Sequence, residues 1–443
     1  MKRSKYLLLV ALIAALALFV VACGDDEGDG NGNGAGGGES PSTDVSGNIQ
    51  VMAVWTGAEQ DAFQQVLDGF TSQYPNVTIR YNSAGDQLPT VLGTAVEGGN
   101  PPDIAVLPQP GLMTDFASRD ALQPIDFARE TIEGNFSEDW VALGEVDGTL
   151  YGMVFKGANK STMWYNVNVM NDAGVEPPAT WDELLTAADT LQASGTPAFS
   201  FAAGDGWPLT DLFENIYLRT AGPDLYDQLA AHEIPWTDQS VKDALTEMGR
   251  LFENPQNIAG GTSGALQTDF PTSVSQLFED PPAAAITFEG DFVQGVITDS
   301  TDAQPETDFN VAPFPSVADE NVVVGGGDMV VMFTDNDATR ALVEYLATPE
   351  AAEIWARIGG FSSPNQNLDP EVYPDEITRT TASALAEAET FRFDMSDLAP
   401  SAFGGTPGQG EWKVLQDFFR DPEDVDGAAQ QLERAAARAY NNQ

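Results

Sequence analysis

The sequence predicts an α/β fold, because segments with strand periodicity alternate with segments of helical periodicity along most of the chain. Two further observations bound its size and class. At 443 residues the chain is longer than one hydrophobic core usually supports, so two domains are expected. Its composition, 42% hydrophobic residues with 20% charged ones, is typical of a globular body and not of a disordered chain.

The N-terminal segment predicts export from the cytoplasm. Basic residues at positions 2, 3 and 5 precede an uncharged apolar run from Tyr6 to Ala22, which is the pattern of a secretory signal peptide. A membrane-spanning helix is the alternative, but this run of 17 residues is shorter than the roughly 20 that cross a bilayer. We therefore predict a signal peptide over residues 1–22.

Cys23 is the only cysteine of the chain, so the exported protein cannot be stabilised by disulfide bonds within the chain. The run Val20-Val21-Ala22-Cys23 resembles the lipobox of bacterial lipoproteins, which implies acylation of Cys23 and anchoring to the cell membrane. Residues 24–46 contain eight glycines and six acidic residues with almost nothing apolar. Residues 23–46 are therefore predicted to form an acylated cysteine and a flexible tether.

The charge balance is strongly acidic, with 19 basic against 68 acidic residues and a formal charge of −49. Loss of residues 1–22 would remove three basic residues and leave a charge of −52. Nucleic acid and anionic membrane surfaces are poor partners for such a protein. A salty medium would screen the self-repulsion, and a high-salt habitat is a hypothesis that follows from this.

The first elements after the tether form a strand, a helix and a strand. Residues 49–55 alternate with apolar side chains on one face, residues 63–70 have helical spacing, and residues 77–81 alternate again. This order within about 35 residues predicts a right-handed βαβ unit and a parallel sheet. Residues 103–107, which lie between two prolines, predict a third buried strand.

The later elements continue the alternation to the C-terminus. Thr180-Trp-Asp-Glu183 has the pattern of a capping box that begins a helix. Thr348-Pro349 begins a second helix, which ends before Gly359-Gly360. Residues 411–440 have helical periodicity with one break at Asp421-Pro422.

Short motifs rich in aromatic, glycine and acidic residues recur along residues 48–443. They are Trp55-Thr-Gly-Ala-Glu59-Gln, Gly99-Asn-Pro-Pro-Asp103-Ile, Pro108-Gln-Pro-Gly111, Trp164-Tyr-Asn166, Pro178-Ala-Thr-Trp-Asp-Glu-Leu184, Gly206-Trp207-Pro, Phe288-Glu-Gly-Asp291-Phe, Gly325-Gly-Gly-Asp328, Phe361-Ser-Ser-Pro-Asn365 and Phe391-Arg-Phe-Asp-Met-Ser-Asp397. Each motif alone is weak evidence for membership of a family. Their number and order resemble the sugar-binding branch of the ATP-binding-cassette transporter solute-binding proteins, which includes maltose-binding and α-glucoside-binding proteins.

This resemblance implies a periplasmic-binding-protein fold, in which two α/β lobes joined by three chain crossings close over a ligand cleft. The implied crossings lie near 159–163, 309–313 and 361–365. The implied lobes are an N-terminal one of residues 47–159 plus 312–363 and a C-terminal one of residues 160–311 plus 364–443. The resemblance also implies a monomeric receptor that delivers a small carbohydrate to the permease subunits of an importer.

A sugar site needs hydrogen-bonding groups around the edge of the ring and aromatic side chains against its C–H faces. Ligands of open α/β sheets lie beyond the carboxyl ends of the strands, where several motifs fall. The tryptophans could equally be core residues, and the polar residues could cap helices or lie in turns. The candidate ligand-binding residues are Trp55, Glu59, Gln109, Asn159, Trp207, Asp211, Glu289, Asp291, Gly327, Asp328 and Trp412.

Gly325-Gly-Gly-Asp328 lacks the lysine and the spacing of a phosphate-binding loop, so we expect no nucleotide there and no cofactor. The glycines are expected to let the backbone approach a ligand between two strands, with Asp328 as a hydroxyl acceptor.

Two other functions remain open. His232 is the only histidine, and Cys23 is the predicted acylation site, so histidine- or cysteine-based catalysis and metal binding are disfavoured. A secreted glycoside hydrolase that uses two carboxylates is the remaining enzymatic alternative. A receptor for a polyamine or another cationic solute is the second alternative, because carboxylates and aromatic rings also bind cations. We predict a non-enzymatic receptor for a disaccharide or an α-glucoside.

Overall fold

The computed structural model describes residues 44–318, 322–388 and 390–441. The predicted signal peptide over residues 1–22, Cys23 and all but the last three residues of the predicted tether lie outside the described residues. Within the described ranges, no helix is both long and apolar enough to cross a membrane.

Strands and helices alternate along the described chain, as predicted. The strands are β1 (Gly47–Ala53), β2 (Val77–Ser83), β3 (Ile104–Leu107), β4 (Glu145–Val146), β5 (Thr149–Leu150), β6 (Gly152–Asn159), β7 (Thr162–Asn166), β8 (Ile286–Phe288), β9 (Phe309–Pro313), β10 (Val322–Met332) and β11 (Thr390–Phe393). The helices are α1 (Gly57–Gln73), α2 (Leu88–Glu97), α3 (Pro110–Ala117), α4 (Arg129–Asn135), α5 (Glu138–Ala142), α6 (Val167–Ala173), α7 (Trp181–Ser194), α8 (Trp207–Ala221), α9 (Pro223–Ala230), α10 (Gln239–Phe252), α11 (Gly261–Ala265), α12 (Phe270–Ser275), α13 (Val293–Ser300), α14 (Asp337–Leu346), α15 (Pro349–Ala356), α16 (Glu376–Glu387), α17 (Met395–Leu398), α18 (Ser401–Gly404), α19 (Gly410–Arg420) and α20 (Val425–Tyr440).

The first lobe is built on a six-stranded sheet with the order β11-β10-β3-β1-β2, in which β6 also pairs with β10. β1 runs parallel to β2 and to β3, which confirms the predicted βαβ unit and third strand. The expectation of a parallel sheet is wrong for β10, which runs antiparallel to β3 and β6. The chain enters β10 from β9 of the other sheet, so the βαβ connection that makes neighbouring strands parallel does not apply to β10.

The second lobe is built on a three-stranded antiparallel sheet with the order β8-β7-β9. The chain leaves the first sheet at the end of β6 and enters the second at β7, and it returns between β9 and β10. Each lobe has its own hydrophobic core, one around Phe63 and Trp355 and the other around Phe213 and Trp236. The predicted two-lobe α/β fold is therefore confirmed. The residue-level lobe boundaries stay a prediction, and β11 pairs with β10 of the first sheet.

Local sequence signals place several helix ends as predicted. Thr180 and Glu183 form a capping box at the start of α7. The side chain of Thr348 caps α15, and the helical segment at the C-terminus is interrupted between α19 and α20.

The glycine run that ends at Asp328 was expected between two strands, and this expectation is wrong, because the whole run lies inside β10. Neighbouring side chains occupy the space that a Cβ atom would need: Phe391 at Gly325, Lys160 at Gly326 and Val154 at Gly327. Glycine is therefore needed at these three positions, because the side chains of neighbouring segments pack directly against the backbone of β10.

Candidate ligand-binding cleft

A cavity of about 380 Å³ lies between the two lobes and is lined by residues from both. It includes the ends of β1 and β6 and the middle of β10 from the first lobe, and the start of α8 from the second. The predicted site residues that line it are Trp55, Glu59, Gln109, Trp207, Asp211, Gly327, Asp328 and Trp412.

Trp55 lies just beyond the carboxyl end of β1 and is both a core residue and a cavity residue. Its ring packs edge-on against Phe63 and Trp355, with centroids 4.7 Å away in both pairs. Only 2% of the residue is exposed. Its indole N–H donates to Asp328 Oδ2 at 2.7 Å, which fixes that carboxylate at the cavity wall.

Lys156 forms the first of two buried charge clusters in the cleft. It lies opposite Asp328 in the antiparallel pair of β6 and β10, and its Nζ is 2.9 Å from Glu59 Oε1 and 3.8 Å from Asp328 Oδ2. Burial lowers the pKa of Lys156, but Glu59 and Asp328 outweigh this and keep it above the usual lysine value. Burial raises the pKa of Asp328 to about 6, against the opposing effect of Lys156.

Lys160 forms the second cluster, at the crossing from β6 to β7. Its Nζ is 2.5 Å from Asp394 Oδ2 and 3.2 Å from both Asp211 Oδ1 and Asp397 Oδ2. Burial alone would raise the pKa of Asp394, but Lys160 outweighs it and holds that pKa below its usual range. Burial and the neighbouring Asp394 raise the pKa of Asp397 to about 8. One ammonium group thus holds three carboxyl groups at the cavity floor.

The aromatic side of the cleft comes from the second lobe. Trp207 is the first residue of α8, and its ring lies 5.2 Å from that of Phe270 and 6.1 Å from that of Phe292, both of which line the cavity. Gly206 has φ of +94°, and a side chain there would collide with Trp412. Glycine is therefore required for the turn that presents both indole rings to the cavity.

Three residues that line the cavity each have a buried polar atom without a hydrogen-bond partner among the described residues. These atoms are Oε1 of Gln109, just before α3, Oδ2 of Asp211, in α8, and the indole Nε1 of Trp412, in α19. All three residues are at most 5% exposed. Gln109 offers an acceptor and Trp412 a donor, and Asp211 offers a carboxyl oxygen, so these are groups that the hydroxyls of a ligand could pair with.

Besides Asp397, three carboxylates that sequence reasoning missed line the cavity. Asp86 comes from the first lobe, where it lies in a short 3₁₀ helix after β2. Asp205 and Asp269 come from the second lobe, where Asp205 Oδ2 accepts from the backbone N–H of Phe270 at 2.7 Å. Burial and the neighbouring Asp86 raise the pKa of Asp205 to about 6. These three residues are called the acidic rim below.

Three predicted site residues do not line this cavity. The backbone N–H of Asn159 donates to Asp291 Oδ2 at 3.1 Å, and the Asn159 side-chain amide donates to the carbonyl of Thr381 at 3.2 Å. The hydroxyl of Ser362 also donates to Asp291. Glu289 is buried without lining this cavity, and burial raises its pKa to about 8. Asn159 and Asp291 therefore connect the chain segments at the crossings.

Lys156 and Lys160 are the main residues that sequence reasoning missed. A signal for them existed, because the chain has only six lysines and two of them flank Gly-Ala-Asn at the end of an apolar strand. Phe292 ends the motif that begins at Phe288, whereas Phe270 gave no signal in the sequence. Among the described residues, no group of histidine, cysteine, aspartate and glutamate side chains is arranged to hold a metal ion.

Comparison with known proteins gives consistent matches. A family model described as "Bacterial extracellular solute-binding protein" matches residues 56–353. The osmoprotective compounds-binding protein GgtB of Synechocystis is 35% identical over 84% of this chain and 88% of its own length. The alpha-glucosides-binding periplasmic protein AglE of Rhizobium meliloti is 31% identical over 86% of this chain and 85% of its own.

Solved structures show the same fold at lower identity. The bacterial solute receptor AcbH, described as preferring β-D-galactopyranose, superimposes with a TM-score of 0.78 at 21% identity, covering 89% of this chain and 99% of its own. The GacH receptor of Streptomyces glaucescens, solved unliganded and with acarbose, gives 0.69 at 17% identity, covering 90% and 98%.

Proposed function

The chain belongs to the bacterial extracellular solute-binding protein family, and we propose that it is the receptor of an ATP-binding-cassette importer for a small carbohydrate. It binds a disaccharide or an α-glucoside in the cleft between its lobes and delivers it to the membrane permease subunits. It acts as a monomer and has no catalytic role of its own.

The observation that carries this proposal is the presence of unpartnered polar groups beside aromatic rings among the residues that line the cavity. Leaving a buried donor or acceptor unsatisfied costs about 1–3 kcal/mol, which a hydroxyl-bearing ligand would recover at Gln109 and Trp412. The rings of Trp207 and Phe292 offer flat apolar surfaces for the C–H faces of a sugar. The cavity of about 380 Å³ lies within the range of ordinary small-molecule sites.

The relatives support the same class of ligand. AglE is named for α-glucosides and GgtB for osmoprotective compounds, and both align over most of this chain. Several structural neighbours are also described as receptors for sugars or oligosaccharides.

The charges of the cleft bear on whether the ligand itself is charged. Each cavity lysine is already paired with carboxylates, which leaves no free cation among the described lining residues to attract an anion. The acidic rim, Asp86, Asp205 and Asp269, has no basic partner among those residues. This favours a second candidate, a cationic solute such as a polyamine.

A thermal-shift panel of disaccharides, α-glucosides and polyamines at fixed salt tests the proposal. A ligand at about 100 times its Kd stabilises the folded protein by about 2.7 kcal/mol, so a disaccharide or α-glucoside should raise Tm clearly. A shift with polyamines alone would replace the proposal by the second candidate. Release of monosaccharide from a glucoside in the same tubes would instead indicate the glycoside hydrolase.

The role of the unpartnered indole N–H is tested by Trp412→Phe, which removes the donor and keeps a ring. We expect about a 3- to 10-fold loss of affinity for the sugar that the panel identifies, by isothermal calorimetry. Trp181→Phe is a matched control, because the Trp181 N–H is also buried without a partner among the described residues but lies away from the cavity. Equal affinities of the two variants would argue against a ligand hydrogen bond at Trp412.

We also propose that Cys23 carries the lipid that holds the receptor at the cell membrane. Replacing Cys23 by Ser should move the protein from the membrane fraction to the soluble exported fraction. Mass spectrometry of the N-terminal peptide should find an acylated Cys23 in the native protein and none in the variant. An unmodified Cys23 preceded by residues 1–22 would contradict the anchor.

A further inference from the structure

The cavity wall carries more carboxyl groups than ammonium groups. Its described residues include two lysines but no arginine or histidine. Both lysines already have partners, since Lys156 Nζ is 2.9 Å from Glu59 Oε1 and Lys160 Nζ is 2.5 Å from Asp394 Oδ2. The wall also contains seven carboxyl residues, which are Glu59, Asp86, Asp205, Asp211, Asp269, Asp328 and Asp397. The cavity can therefore accept a further positive charge.

The acidic rim forms no ion pair with a described basic residue of the cavity wall. Asp205 Oδ2 accepts from the backbone N–H of Phe270 at 2.7 Å, and Asp269 Oδ1 accepts from that of Thr272 at 2.9 Å. A backbone N–H group carries no net charge, so these bonds orient the two carboxylates without neutralising them. A cationic group of a ligand would do so.

Three aromatic rings of the cavity wall stand beside the rim. Trp207 comes two residues after Asp205, and Phe270 directly follows Asp269. The ring centroid of Phe270 lies 5.2 Å from that of Trp207 and 5.4 Å from that of Phe292. The face of an aromatic ring attracts an ammonium group. Rings and carboxylates together thus favour a cationic group at the rim.

The buried polar atoms of the cavity need a different partner. The indole N–H of Trp412 is a donor without a described partner, so the ligand must offer it an acceptor. An ammonium group has three donors and no acceptor, so a polyamine would leave this N–H unsatisfied. A hydroxyl group both accepts and donates, and it can therefore pair with Trp412 or with Oε1 of Gln109.

We propose that the ligand is a glycoside that carries a protonated amino group. Its ring hydroxyls bind at Gln109 and Trp412, and its ammonium group lies at the acidic rim beside the rings of Trp207 and Phe270. A neutral disaccharide satisfies only the first set of groups, and a polyamine satisfies only the second. This inference rests on the proposed function, because it specifies the kind of sugar that the cleft binds.

Isothermal calorimetry with matched sugars tests the charge of the ligand. The probes are trehalose and maltose, forms of each in which one hydroxyl at a time is replaced by an amino group, the N-acetyl derivatives of these amines, and spermidine. At about 50 mM NaCl and a pH below the amine pKa, we expect one amino form to bind about 10-fold more tightly than its parent sugar and its neutral N-acetyl derivative. The difference should shrink at about 1 M NaCl, where the Debye length is about 3 Å.

Asp205→Asn and Asp269→Asn test where the charge is recognised. Asn keeps a carbonyl oxygen for the backbone N–H of Phe270, and it caps the start of α12 as well as Asp does, so both variants should fold. Each should reduce the preference for the amino sugar over its parent by about 2- to 5-fold. Asp172→Asn is the matched control, because Asp172 is exposed on α6 and lines no described cavity. It removes the same charge and should keep the wild-type preference.

The outcomes separate this inference from the proposed function. Equal affinities for the amino, N-acetyl and parent sugars would overturn the inference and leave the sugar receptor in place. The same holds if the rim variants keep the wild-type preference, because the amino group would then bind elsewhere. A panel in which no sugar binds would contradict the proposed function and the inference with it, and binding of spermidine alone would identify the polyamine receptor.

Discussion

Single residues in the cleft show how an acidic protein keeps carboxyl groups buried. Lys160 contacts Asp211, Asp394 and Asp397 within 3.2 Å, although all four side chains are buried or nearly so. A buried ionised carboxylate needs a partner of opposite charge, and here the ionised member is Asp394, whose pKa Lys160 holds below its usual range. Lys160 thus organises the cavity floor, and the candidate ligand residue Asp211 depends on it for its position.

Replacing Lys160 by Met should therefore leave the buried carboxylate of Asp394 without its counter-charge. We expect the free energy of unfolding in urea to fall by about 3–5 kcal/mol. Lys242→Met removes a more exposed ammonium group that pairs with Asp426 on the surface, and it should cost no more than about 1 kcal/mol. Similar losses for both variants would show that Lys160 does not hold the cluster.

At the scale of elements, the pairing of β6 with β10 creates the cleft wall. The antiparallel register places Lys156 opposite Asp328 and Gly326 opposite Ala158, so charged groups from both strands face the cavity. The glycines of β10 are needed because the side chain of Lys160 crosses the strand at Gly326. A strand without side chains at these positions is what lets the lysine reach its carboxylates.

Replacing Gly326 by Ala should displace the Lys160 side chain from its carboxylates. We expect a loss of about 1–3 kcal/mol in the free energy of unfolding, together with weaker sugar binding. Gly134→Ala in α4 is the matched control, because a Cβ atom there meets no other atom within 4 Å. That variant should be neutral or more stable by up to about 1 kcal/mol, since Ala favours a helix over Gly. A neutral Gly326→Ala would show that the lysine has room to move aside.

At the scale of the whole molecule, buried acids link stability to pH. Burial raises the pKa of Glu289 to about 8, and burial with Asp394 raises that of Asp397 to about 8. Burial also raises those of Asp205 and Asp328 to about 6. Between the unfolded pKa of about 4 and these folded values, the folded state binds more protons than the unfolded state. Stability should therefore fall as pH rises through this window.

We expect a lower urea midpoint at about pH 9 than at about pH 6, measured at high salt to screen surface repulsion. Asp397→Asn removes one of the groups that titrate near 8 and should reduce the difference between the two midpoints. A midpoint that rises towards alkaline pH would mean that these carboxyl groups are not protonated in the folded protein.

The sequence was sufficient for the features that depend on neighbours in the chain. Periodicity predicted the α/β class and the βαβ unit, capping residues predicted α7 and α15, and the order of motifs indicated the family. Trp55 and Gln109 were found because they directly follow strands β1 and β3, whose carboxyl ends border the cleft. Each of these signals depends on residues that are close together in the chain, so it can be recognised without the tertiary structure.

The tertiary structure decided which of these residues meet. Along the extended segment after β6, alternate side chains face opposite sides, so Lys160 faces the cleft while Asn159 and Ser161 face a separate cavity of about 350 Å³. The linear sequence does not indicate which of these two sides faces the ligand-binding cleft. Asp86 and Trp207 are distant in sequence and line the same cavity only because the two lobes face each other. Contacts of this kind depend on long-range packing, which sequence periodicity does not encode.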